Sequence, residues 1–372
     1  MRILWNSDQH TLHQTTPTEH ILGNLSTFYY KDHNLADVQL VIKGGDLMDR
    51  LVDARDKNLL KVKKWSHAFL HRCHEHDVAV LLLEGTDTHD WGQPKHLETQ
   101  APEGMDFRYV DTLRIEFYPK FNNLSILCVP DNMGGYTKDE VWEMALAELA
   151  KHNLKKVDII AFHGAWDFQL PPAARGKHTH NQDRWESICE MLILSGHIHT
   201  PAQEGKVHCS GSFDRVAHGE EHPKGAYVVD VDVENKTFVA KFWENKKALP
   251  YVSLKVNEDI TPEQLVKDLH EFIKRKQLPH HAQVRVVGGS AHVVNPVLAV
   301  LEKEYPYLGF KAKNVKAEDL LEDEAMYTES EYQGVLLTKE NITKVLMAEV
   351  GDKLTSLNIP HSEAEGILKE YL

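Results

Sequence analysis

Met191-Leu192-Ile193-Leu194-Ser195-Gly196-His197-Ile198-His199-Thr200 is the stretch from which the rest of the chain is read. Four apolar residues followed by Gly and a His-x-His pair describe a buried strand that opens at its carboxyl end into a loop. On extended backbone two imidazoles at this spacing share a face, whereas on a bent loop each is aimed separately. The glycine lets the backbone come close to whatever the rings bind. One such pair fits a polar loop as well as a metal, so its meaning comes from the strands upstream.

At 372 residues, with 42% apolar and 26% charged residues, the composition is that of a soluble globular protein of two or three domains. No apolar run approaches the roughly 18 residues of a membrane span, and the chain opens directly on a strand. Four scattered cysteines without a C-x-x-C suggest reduced thiols, so the expectation is a cytoplasmic protein with no membrane segment. The 24 histidines permit a metal enzyme without establishing one. A net charge of −14 argues against a generally basic nucleic-acid coat. It does not exclude a nuclease, because bound divalent cations add local positive charge.

In chain order, Arg2-Ile3-Leu4-Trp5 is a short strand that delivers Asp8-Gln9-His10. A helix is expected over 17–30, then a strand, Val38–Ile42, that ends in Gly44-Gly45-Asp46. Residues 53–76 read as a helix whose His67, His71 and His74 form a polar surface. The strand Val78–Leu83 runs into Glu84-Gly85-Thr86-Asp87-Thr88-His89-Asp90. Strands near 112–118 and 125–129, a helix at 138–151, a strand, Val157–Phe162, leading to His163, and a helix at 181–190 follow. Strands alternating with helices, with polar clusters at strand carboxyl ends, define a layered α/β domain. Five strand ends thus present Asp8/His10, Asp46, Thr88/His89, His163 and His197/His199. Nitrogen and oxygen donors without a thiolate suit Mn, Fe or Zn, and Asp46 is placed to bridge two ions.

This order of motifs resembles the calcineurin-like metallophosphoesterases, whose pattern is Asp-x-His, Gly-Asp, Gly-Asn-His-Asp, a His after a strand, then Gly-His-x-His. The resemblance implies a layered β-sandwich flanked by helices and two divalent ions, Mn above all. Asp8, His10, Asp46 and His199 would hold one ion, and Asp46, His163 and His197 the other. The family's Asn ligand would fall at Thr88, so Asp87, a water or Thr88 itself is left to complete the second position. His89 would stabilise the transition state or protonate the leaving oxygen.

Ser210-Gly211-Ser212-Phe213-Asp214-Arg215, then Gly219-Glu220-Glu221 and Lys224–Val229, continued by Thr237–Trp243, is similar to the SbcD branch. That branch is the nuclease subunit of SbcCD, and the altered third motif and compact length point to a phage-encoded member acting in the host cytoplasm. On this reading residues 1–248 form the nuclease domain and 249–315 a small α+β capping domain of β-α-β-α-β order. The helix there opens on Thr261-Pro262-Glu263-Gln264, an N-cap with Pro and a box partner, and a second helix is expected at 295–304. Residues 316–337 are an acidic linker and 338–372 two short amphipathic helices. In such relatives the cap helps admit DNA, the terminal helices grip an SbcC-like coiled-coil ATPase, and the nuclease subunit forms a homodimer. The expectation is therefore a metal-dependent DNA exonuclease/endonuclease subunit. Its rivals are a phosphoesterase of the same fold acting on a nucleotide or other phosphoester, and a catalytically weak DNA-binding scaffold.

Overall fold

The computed structural model describes residues 1–131, 135–176 and 178–313, all within one compact unit, Met1–Glu318. The acidic linker and the terminal helices expected from the sequence lie outside the described residues. Strand β1 (Arg2–Asn6) is followed by helix α1 (Thr18–Thr27), strand β2 (Leu40–Lys43), helix α2 (Lys57–Glu75) and strands β3 (Ala79–Leu83) and β4 (Phe107–Val110). Next come β5 (Arg114–Tyr118), β6 (Leu124–Val129), α3 (Lys138–Lys151), β7 (Val157–His163), α4 (Gln182–Ser187) and β8 (Cys189–Gly196). β9 (Ala202–Glu204), β10 (Val207–Cys209), β11 (Gly225–Asp232) and β12 (Thr237–Glu244) complete two six-stranded sheets.

The first sheet runs β12-β11-β1-β2-β3-β4 and the second β5-β6-β7-β8-β10-β9. β1-β2-β3-β4 of the first and β6-β7-β8-β10 of the second are parallel, and β11 runs antiparallel to β1. Alternation along the strands explains the layering. Ile3, Trp5, Leu40, Ile42 and Leu81 of the first sheet pack against Ile126, Ile159, Leu192 and Leu194 of the second. Their neighbours Leu4, Val41, Val80 and Leu82 point the other way, under α1 and α2. Leu127, Ile160 and Ile193 likewise turn outward under α3 and α4. Helix, sheet, sheet, helix is the result, and it requires inner strands apolar on both faces, as their sequences are.

Several boundaries differ from the sequence expectation. α1 stops at Thr27 and passes into a π-helical turn, Phe28–Asp32, from which the Tyr29 hydroxyl donates to Asn6 Oδ1 at 2.8 Å. α2 begins only at Lys57, because the Asp56 carboxylate caps the amides of Asn58 and Leu59. α4 ends at Ser187, since Cys189 is already paired with Val157 in the sheet. His67, His71 and His74 are exposed on α2, as a polar surface should be.

A third, parallel sheet of β13 (Tyr251–Lys255), β14 (Gln283–Val287) and β15 (Gly309–Lys313) is crossed by α5 (Pro262–Lys276) and α6 (Ala291–Glu304). It has its own core of Leu265, Leu269, Phe272, Val284, Val286, Val294 and Leu301. Thr261 caps α5 by accepting from the Gln264 amide, but the Gln264 side chain donates to Asp268 and does not close the box. α6 starts before 295 and carries Pro296 inside it. Among the described residues no helix is long and apolar enough to cross a membrane.

Candidate metal centre

Loops at the carboxyl ends of β1, β2, β3, β7 and β8 are stitched together by main-chain bonds. The Asp8 amide donates to Gly45 O, and the amides of Gln9 and His10 donate to Asp46 O at 2.8 and 3.1 Å. The Asp90 carboxylate accepts from Met48 N and Gly85 N, both at 2.8 Å, tying the second loop to the third. His163 Nδ1 donates to Gly44 O at 2.6 Å, and the His197 amide donates to the Asp8 carboxylate at 3.0 Å. Asp8, His10, Asp46 and His197 all have positive φ, at 49°, 46°, 49° and 96°. Four non-glycine residues held in that region mark stored backbone strain of the kind that collects at functional sites. Two glycines admit the close approach: a Cβ on Gly85 would lie 2.1 Å from Asp46 N, and one on Gly196 1.8 Å from Ser7 Oγ.

Two buried groups result. Asp8, His10 and His199 lie together, as do Asp46, His163 and His197, each set with donor atoms within 4.8 Å of one another. His10 Nε2 and His199 Nε2 are 3.0 Å apart. His199 Nδ1 donates to Glu220 Oε1 at 2.6 Å, which turns its Nε2 lone pair toward the cluster. Glu220 also pairs with the buried Lys224 at 2.9 Å, and Lys224 Nζ donates to His199 O and Ser212 Oγ. Burial would raise the Glu220 carboxyl, but His199 and Lys224 hold it well below the usual range.

Both groups fit cations. His163 Nε2 is fully buried, 3.3 Å from Asp46 Oδ2, and has no hydrogen-bond partner. Its Nδ1 is committed to Gly44 O, so in the neutral ring a lone pair faces a carboxylate. That is the arrangement of a metal-ligating histidine. Burial lowers the His163 imidazole, but Asp46 overrides it and holds it up at about 10. Burial opposes ionisation of Asp46 too, yet His163, His89 and His10 keep its carboxyl well below the usual range. His10 Nδ1 is another buried nitrogen without a hydrogen bond, although Asp49 Oδ1 is 3.1 Å away.

Thr88, the position expected to complete the second site, is exposed, and its carbonyl accepts from Trp91 Nε1 at 2.9 Å. Asp87 is exposed as well. Thr86 lies inside, its amide donating to Asp46 Oδ1 at 2.6 Å. Its hydroxyl is 3.3 Å from both Asp46 Oδ2 and Asp131 Oδ2. Asp131, two residues past β6, lies 3.5 Å from His197 Nδ1. His89 is half-buried; its Nδ1 lies 2.7 Å from Asp49 O and its ring stands edge-on to His10 with centroids 4.7 Å apart. It therefore sits against the first group, on the side of Asp49. Sequence reasoning missed Thr86, Asp131, Asp49 and Glu220. Of these, Thr86 and Asp131 follow strand ends, the signal used for the others.

No protein-family profile matches the sequence, and no curated protein matches it. Among solved structures, TT1561 of Thermus thermophilus is similar over 65% of this chain and 98% of its own, at 14% identity and a TM-score of 0.35. A second solved chain is similar over 65% and 98%, at 10% identity and a TM-score of 0.37. The layered α/β fold and the buried His/Asp groups are compatible with a metal-dependent phosphoesterase, and those groups can hold divalent ions.

Proposed function

We propose that this chain is a two-metal phosphodiesterase that hydrolyses DNA, the SbcD-like nuclease subunit of an SbcCD-like complex. The observation that carries the reading is the pair of buried His/Asp groups joined at Asp8 and Asp46 on one edge of the two sheets. Asp8, His10 and His199 would hold one ion and His163 and His197 the other, with Asp46 between them. Bound there, divalent ions supply a water of lowered pKa and neutralise charge developing on phosphorus. His89 is close to this edge but outside both groups. The Asp49 carbonyl fixes its Nδ1 as donor, so proton delivery to a leaving oxygen falls to Nε2.

The third sheet carries basic residues on one face. Register places Arg285 beside Ser253 and Lys311, and Lys255 and Lys313 on either side of Val287, on the face turned away from α5 and α6. Burial lowers His218, and Arg285 and Lys311 lower it further, to about 4, so that basic face borders the loop that carries Glu220. Cleavage of single-stranded, double-stranded and hairpin DNA with added Mn, with and without the ATPase partner, tests the reading. Cleavage lost on chelation supports it, and hydrolysis of mononucleotides alone would favour the nucleotide phosphoesterase. The ATPase contact is assigned to the terminal helical segment. Deleting 336–372 should abolish co-purification with the ATPase and spare Mn-dependent activity on short single strands, whereas retained association would move the interface elsewhere.

A further inference from the structure

We propose that the Asp131 carboxylate, assisted by the Thr86 hydroxyl, completes the second metal position beside Asp46, His163 and His197. It would be an anionic ligand supplied by a different strand end from the one that carries the third motif. The inference rests on the two-metal reading and adds to it a ligand that neither the motif pattern nor its spacing supplies.

Gly85 fixes the geometry. Its Cα approaches Asp46 so closely that no side chain fits there, which places the next residue, Thr86, and not Thr88, at the second group. The Thr86 hydroxyl then faces Asp46 Oδ2 and Asp131 Oδ2, each at 3.3 Å. A hydroxyl has one proton and satisfies one of two carboxylates. Among the described residues the ion-pair partners of Asp46 and Asp131 are imidazoles, His163 at 3.3 Å and His197 at 3.5 Å, with no Lys or Arg. The buried His163 Nε2 points into the same space without a hydrogen bond. Two carboxylates, two imidazoles and a hydroxyl short of protons constitute a donor set for a hard or borderline divalent cation.

An anionic oxygen neutralises more of a divalent charge than an amide does, so Asp131 would strengthen a site that Thr86 alone would leave weak. Calorimetric titration of the full chain with manganese(II) chloride, together with electron paramagnetic resonance, tests this without an activity assay. The wild-type chain should bind two ions and show the spectrum of a coupled pair. Asp131→Ala should bind one ion and show an isolated manganese signal. Asp131→Asn, which keeps shape and fold, should retain the second ion at least tenfold more weakly, the low end of what even an outer-shell partner contributes. Circular dichroism checks folding, and the Asn variant decides if the Ala variant does not fold. Two ions at unchanged affinity in these variants would overturn the role of Asp131 and leave the two-metal reading standing. A wild-type chain that binds fewer than two ions overturns both.

Discussion

Lys43, the last residue of β2, directly precedes the Gly44-Gly45-Asp46 loop and is 4% exposed. Its ammonium lies 5.2, 5.3 and 4.8 Å from the ring centres of Tyr29, Trp65 and Phe69, and its one polar contact among the described residues is Gln9 Oε1 at 3.5 Å. Burial pulls it from 10.5 down to about 7. Holding it there, when the unfolded chain keeps the ordinary value, costs about 4 kcal/mol of stability at pH 7. The sign follows from proton counting. Between about pH 7 and 10.5 the unfolded chain binds more protons at this site, so stability rises with pH across that window, and below it the full penalty applies. Lys43→Met keeps the length and removes the charge, so it should stabilise the protein by about 2–4 kcal/mol at pH 7, less whatever cation–π attraction is lost. The gap should close as pH approaches 10.5. Urea unfolding at several pH values with matched m-values measures it. A Met variant less stable than wild type at pH 7, or a gap that does not narrow with pH, would show that the three rings hold a charged ammonium.

Two substitutions probe the centre. Glu220→Gln removes the charge that orients His199 while keeping an acceptor, and manganese affinity at the first group should fall 10–100-fold; unchanged affinity in a competition titration would make Glu220 a partner of Lys224 alone. His89→Ser should leave metal content and DNA affinity nearly unchanged while turnover drops by about 10²–10⁴. Loss of an ion, with partial rescue at high Mn, would instead make His89 a ligand, and its place beside His10 and Asp49 assigns that ion to the first group.

The sequence made legible the groups that follow a strand. Asp8, His10, Asp46, His163, His197 and His199 are brought together because each sits where a buried strand ends on the same edge. The third motif misled because its spacing was counted back from His89. The chain is anchored instead at Gly85 and Asp90, and the residues between them, Asp87 and Thr88, loop outward. Asp131 follows a strand end too, but in Pro130-Asp131-Asn132 it also fits an ordinary turn, and only the pairing of β6 with β7 and of β7 with β8 brings it to His197. Apolar strands alternating with helices announced a layered α/β domain. They could not say which strand joins which sheet, since that depends on crossovers and not on periodicity.

Anomalous scattering from crystals soaked in manganese(II) tests the central claim most directly. Two peaks about 3.5–4 Å apart, one on each side of the Asp46 carboxylate, are predicted, and a single peak at saturating manganese would contradict the account.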